Sequence, residues 1–245
     1  MENLNSVDQL RKPTESPLNR RELLLGVGAA AAWTAFGSVP RVWAGQPKAV
    51  MHETKVISLQ PNLYHGWPTV ARRKNGELLA VCSGGRERHV CPFGRVEMMR
   101  SRDEGKTWGW PCVLLDMEID VRDAGIMETD NGTLLATTFT SAAYFDRLKQ
   151  EMENARQKKS GAWPEEHLAR WRAAHERLSD EQREKLLGAW MIRSTDGGLT
   201  WSAPYDCLVD SPHGPIQLAD GRLLYAGKEI GRGNGLFVHV TLVPF

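Results

Sequence analysis

Titratable and aromatic side chains gather in a few short stretches of the chain: His65-Gly66-Trp67, Arg86-Glu87-Arg88-His89, Arg122-Asp123 and His213-Gly214. Asp123 beside Arg122 is the best placed carboxylate for general acid/base work, and Glu87 is the second. Arg86, Arg88 or Arg122 would hold an anionic group through paired guanidinium hydrogen bonds. His65, His89 and His213 would relay a proton or bond a polar substrate, and Trp67 shares the first of these stretches. The plainer alternatives are that Asp123 pairs with Arg122 or caps a loop, and that the other residues are solvated loop side chains. Cys82, His89 and Cys91 lie close in sequence but match no standard metal spacing, so no metal site is expected. Gly231-Arg232-Gly233-Asn234-Gly235 has no helix signal after it, which removes a phosphate-binding loop, and no cofactor is expected.

What would bring these stretches together is a repeated hairpin. Ser101, Asp103, Gly105, Thr107 and Trp108 recur at the same spacing as Ser194, Asp196, Gly198, Thr200 and Trp201. The pattern describes a tight turn in which Ser and Asp bond loop backbone groups, Gly takes a positive φ, and Trp packs on a neighbouring sheet. Each copy follows an apolar run, Val96 to Met99 and Ala189 to Ile192, and precedes another, Val113 to Leu115 and Cys207 to Val209. A second signal, Asn-Gly or Asp-Gly between strand-like runs, occurs at Asn75-Gly76, Asn131-Gly132 and Asp220-Gly221. Together they give a four-strand antiparallel unit, once from about Trp67 to Asp116, again from Arg122 to Asp210, and a third that opens at His213. Loops of such a meander alternate between faces. The repeated turns take one face, and the histidines, arginines and carboxylates named above take the other.

The paired Ser-x-Asp-x-Gly-x-Thr-Trp boxes and the Asn-Gly-x-Leu-Leu turns resemble the sialidase (neuraminidase, BNR-repeat) superfamily of Asp-box proteins. The resemblance covers most of residues 60 to 235 outside an insert. It implies an all-β fold, a six-bladed β-propeller of which this chain holds about two and a half blades. That shortness points to a truncated or fragmentary chain. It also implies an exo-alpha-sialidase-like glycosidase that hydrolyses terminal sugars of extracellular glycans. The family's carboxylate-binding Arg sits just before Ile-Pro on the first strand, where this chain has Gly66. Its acid/base Asp lies in a loop that here runs from Gly84 to Gly94 and offers only Glu87. Those departures keep a second class open, a non-catalytic carbohydrate-binding propeller or an inactive truncated relative.

Residues 144–187 interrupt the second unit and are rich in Glu, Lys, Arg, Gln and Ala, which is helical composition. Pro164-Glu165-Glu166 suits a first helical turn, and Ser179 with Gln182 reads as a capping box. Leu168, Trp171 and Leu178 form an apolar stripe at helical spacing. The insert is either a lid or substrate-selecting wall over the site, or a solvated decoration or subunit contact.

Residues 1–44 read as a twin-arginine (Tat) signal peptide: Arg20-Arg21, then an Ala/Gly-rich apolar stretch, then Val42-Trp43-Ala44 at the cleavage point. Residues 45–245 are then the mature, sialidase-like part, periplasmic or secreted, with no membrane contact after cleavage. A formal charge of +1 recommends no nucleic-acid partner; a glycan or small sugar is the partner that the resemblance implies. Oligomeric state is not legible.

Overall fold

The computed structural model describes residues 49–207, 209–229 and 238–243. The twin-arginine segment 1–44 and the glycine-rich stretch 231–235 lie outside the described residues. The chain divides into two compact units, Met1–Thr54 and Lys55–Phe245, and every described strand belongs to the second. No helix among the described residues is long and apolar enough to cross a membrane.

Three antiparallel sheets follow one another along the chain. The first takes β1 (Tyr64–Arg72), β2 (Leu78–Arg86), β3 (Arg95–Ser101) and β4 (Cys112–Leu115) in sequence order. The second takes β5 (Asp120–Glu128), β6 (Leu134–Ser141), β7 (Ala189–Ser194) and β8 (Tyr205–Asp206) in the same order. In the third, β11 (Leu223–Glu229) pairs with β10 (Ile216–Gln217), with β12 (Val238–Val243) and with β9 (Val209–Asp210). The run Cys207 to Val209, expected as one fourth strand, is therefore divided: the second sheet ends at Asp206 and Val209 already belongs to the third.

Period-two alternation explains the stacking of the sheets. Leu79 and Val81 of β2 face Val121, Ile126, Leu134 and Ala136 of the second sheet in one core cluster. Their neighbours Ala80 and Cys82 face the opposite side, against Met99, Ile57 and Trp108. Leu135 and Met191 of the second sheet then pack on Val209, Leu223 and Tyr225 of the third. Sheets laid face to face in sequence order, each a four-stranded antiparallel unit, make a propeller-like arrangement. Each fully buried Leu or Val in these layers is worth about 1.5–3 kcal/mol.

Both boxes are built as their residues dictate. Asp103 Oδ1 accepts from Ser101 Oγ at 2.8 Å and from the Thr107 amide at 2.9 Å, while Oδ2 accepts from Thr107 Oγ1 at 2.6 Å. Asp196 repeats this with Ser194 and Thr200. Gly105 and Gly198 sit at φ +86° and +82°, where a side chain would be strained. The Asn-Gly and Asp-Gly turns close with Gly76, Gly132 and Gly221 in the same left-handed region.

The innermost strands of the first two sheets carry a matched bulge. Register slips between Gly66 and Thr69 in β1, and between Arg122 and Gly125 in β5. The left-handed residues at the two slips are Trp67 (φ +51°) and Asp123 (φ +48°). In the third sheet the corresponding gap between β9 and β10 holds His213 and Gly214. Such bulges bend a strand and re-aim its side chains.

The insert is helical: α1 (Tyr144–Arg156), α2 (Glu165–Glu176) and α3 (Asp180–Leu186). Glu165 and Glu166 occupy the first turn of α2, and the Ser179–Gln182 capping box opens α3. Leu168 and Trp171 are buried with Tyr144, Leu148, Trp163 and Cys91, whereas Leu178 is only half-buried and Ala174 completes the stripe. The four cysteines are free. Cys82 and Cys91 are buried, Cys207 is half-buried, and Cys112 is exposed because β4 is the outer edge of its sheet rather than a packed strand.

Candidate functional site

The two bulges bring Trp67, Arg122 and Asp123 to one place. Arg122 lies over the Trp67 ring at 5.1 Å from its centroid and over the Phe139 ring at 5.8 Å. Phe139 pairs with Arg122 across β5 and β6, and Lys228 from the third sheet approaches its ring to 5.9 Å. Aromatic and cationic groups thus alternate across three sheets, each contact worth about 0.5–2 kcal/mol according to its exposure. His89 joins the same cluster, 4.9 Å from Trp67 between ring centroids.

Two carboxylates stand beside this row. Asp123 is half-buried, and its Oδ1 is enclosed with no hydrogen-bond partner. Burial pushes its pKa above the ordinary carboxylate value, against the pull of Arg122 and Arg86. Asp210, buried on β9, is pushed up to about 6, first by burial and further by Asp123, with Lys228 Nζ 3.9 Å away pulling the other way. A carboxyl with a raised pKa and an unengaged oxygen is suited to donate or receive a proton. Arg122 Nε is likewise enclosed without a hydrogen-bond partner, with Asp120 Oδ2 4.0 Å away.

Arg86 requires a correction. It is fully buried rather than facing a ligand, and its two Nη atoms grip Asp120 at 2.6 and 2.9 Å, with Nη2 also donating to His89 O. The pair is so enclosed that a Cβ on Gly94 would stand 2.1 Å from Asp120 Oδ1 and 2.2 Å from Arg86 Nη1. Arg86 also lies 5.7 Å from the Trp67 centroid, so it supports the site from beneath.

The remaining expected residues are dispersed. Glu87 turns to the insert, where Oε1 accepts from Arg170 Nε at 2.8 Å and Oε2 from Trp171 Nε1 at 2.8 Å. Arg88 lies over Trp163, 4.9 Å from its centroid. His65 bonds Glu97 at 3.3 Å in a separate cluster with Gln60 and Arg95. His213 is exposed, and its Nδ1 is 3.0 Å from Thr69 Oγ1 of the first sheet. Of the residues expected on one face, Trp67, His89, Arg122 and Asp123 meet, while His65 and Glu87 serve other neighbourhoods. Phe139, Asp210 and Lys228 are additions. Asp210 was expected to close the second unit, and it lies instead on β9 of the third sheet.

On the opposite face a recess of about 560 Å³ is lined by Arg73, Glu77, Arg100, Arg102, Asp196 and Leu199 among others. Arg73 is committed to Glu77 and Glu128, and Arg100 to Gly197 and Gly198 carbonyls, so this recess couples sheets rather than offering free groups. No group of three or more His, Cys, Asp or Glu among the described residues is placed to hold a metal ion.

Fold and site together define a chain of face-to-face antiparallel sheets bearing Asp boxes on one face and an Arg-Asp-aromatic cluster on the other. No protein-family model matches it, and no curated protein does. Among solved structures it is similar to a protein of unknown function from Dyadobacter fermentans, at 20% identity and a TM-score of 0.47. That match covers 70% of this chain and 48% of the other. It is similar also to the Hadza microbial sialidase Hz136, at 16% identity and a TM-score of 0.45, over 66% of this chain and 32% of that one. The chain spans about half the length of the first and about a third of the second.

Proposed function

We propose that the protein is an exported sialidase-like glycoside hydrolase acting on terminal sugars of extracellular glycans, with Asp123 as the proton-handling carboxyl. The observation that carries this is Asp123 itself: a carboxylate held in a left-handed bulge, half-buried, with one oxygen unengaged and its pKa raised. Arg122 and Lys228 supply positive charge for an anionic sugar substituent, and Trp67 offers an aromatic face for the ring. In this reading the three sheets are blades of a six-bladed β-propeller. Its passage through the twin-arginine route to the periplasm or beyond belongs to the same proposal.

Glycoside hydrolysis needs a proton on the leaving oxygen and a nucleophile or base across the ring. Asp123 fills the first role, its carboxyl raised by burial, and Asp210 is a neighbouring carboxyl that Asp123 in turn raises. The purified chain from residue 45 onward should release the fluorophore from a 4-methylumbelliferyl sialoside or a related glycoside. Asp123→Asn should reduce that rate by about 10²-fold or more while leaving the thermal midpoint in place.

A second reading, a non-catalytic carbohydrate-binding propeller, is favoured by two observations: the Arg86 guanidinium is closed off by Asp120, and Gly66 stands where the family places its anion-binding Arg. Sugar binding that survives Asp123→Asn, with no turnover by either protein, would decide for it.

A further inference from the structure

The loop after β2 is two-sided. Arg86 is buried beneath the site on Asp120 and His89 packs beside Trp67, whereas Glu87 and Arg88 between them face the insert. Glu87 is held by two residues one step apart on α2, Arg170 through both Nε and Nη2 and Trp171 through its indole N–H. His167, one turn earlier on the same helix, stands with Nε2 3.6 Å from Glu87 Oε2 and its ring packed between Trp163 and Trp171. Trp171 is fully buried and Glu87 only about a fifth exposed, so the indole bond to the carboxylate is an enclosed, charge-assisted one, while Arg170 closes the clasp from its solvent side. The clasp joins an insert rooted in the second sheet to a loop of the first. A solvated decoration would need no such connection.

We infer that Glu87 is a positioning residue through which the helical insert fixes the aromatic wall of the site, the rings of His89 and Trp67, and so sets how tightly the sugar is held. This rests on the reading of the Arg122–Asp123 cluster as a sugar site. Because the peptide from Arg86 to His89 is short and Arg86 Nη2 holds His89 O, a shift at Glu87 is passed to the His89 ring within one turn of loop. Substrate fit, rather than proton transfer, is what the clasp controls.

The test uses the full mature chain with Glu87→Ala, Glu87→Gln and Trp171→Phe, the last removing only the indole N–H donor and part of the ring. Amide exchange of the loop 86–94 and of α2 should rise together by about tenfold in Glu87→Ala and Trp171→Phe, with β6 and β7 unaltered. With a 4-methylumbelliferyl sialoside, KM should rise about tenfold while kcat stays within about twofold, and Glu87→Gln, which keeps an acceptor for Trp171, should recover part of the loss. Faster exchange confined to α2, or an unmoved KM in a protein that turns the substrate over, would overturn the inference. If no variant and no parent protein hydrolyses the substrate, the catalytic reading falls, and joint or separate exchange of loop and helix still decides the clasp.

Discussion

Arg100, on the third strand of the first sheet, donates from its two Nη atoms to the carbonyls of Gly197 at 2.9 Å and Gly198 at 2.7 Å, inside the box of the second sheet. A turn that looks self-contained is thus tied to its neighbour by a charged donor. Arg100→Met should lower stability by about 1–3 kcal/mol in urea denaturation, since box carbonyls lose charge-assisted partners. Arg100→Lys should recover less than half, because an ammonium cannot span both carbonyls as a planar fork does. An unchanged denaturation midpoint in Arg100→Met would show the contact to be idle.

Asp123 pays for its place with a backbone angle, φ +48°, that few side chains accept. Asp123→Gly should therefore raise stability by about 1 kcal/mol, relieving the strain and removing a partly buried carboxylate, while abolishing any hydrolysis. Calorimetry on the two proteins checks the sign. A less stable glycine variant would mean that the carboxylate is a structural partner of Arg122 and not a strained functional group.

Asp210 makes the protein's stability depend on pH in a definite direction. Its folded-state pKa is raised from 3.8 to about 6, so the folded form keeps a proton that the unfolded chain releases earlier. The associated stability is present below about pH 4 and lost as pH rises from about 4 to 6. Asp210→Asn should be more stable than the parent at pH 7 by about 1–3 kcal/mol, with the gap closing below pH 4. Denaturation curves at pH 3.5, 5 and 7 read this directly, and a gap that widens toward acid would contradict it.

The boxes run the other way. Hydrogen bonds from Thr107 and Ser101 hold the Asp103 carboxyl down at about 2, and Asp196 is lowered by the same set of donors. Their contribution is complete above the unfolded carboxylate pKa near 4 and disappears as pH falls toward 2. Asp103→Ala should lower the thermal midpoint more at pH 7 than at pH 2. An equal loss at both values would assign the effect to packing.

Local chemistry was legible in the sequence and long-range pairing was not. Asn131-Gly132 or Ser194-x-Asp196 fixes its own turn, because partners two to four residues away close the hydrogen bonds. The same holds for the Ser179 cap. Arg122, Asp123 and Trp67 were found because each stands at an inner-strand position that the repeat itself marks. Arg86 and Glu87 carried the right chemistry with no sign of where it would be used: their partners, Asp120 and Trp171, lie 34 and 84 residues further along. The run Val113 to Leu115 is apolar, yet it is an outer edge that leaves Val113 and the preceding Cys112 exposed, and alternation cannot tell an edge strand from a central one.

Trp67 and Asp123 occupy one conformational slot in two consecutive copies of the same strand. The repeat therefore behaves like a socket whose shape is inherited and whose plug is free to change: an indole in one copy, an acid in the next. Side chains of unlike chemistry thus sit at the same kink while the strand geometry around it repeats.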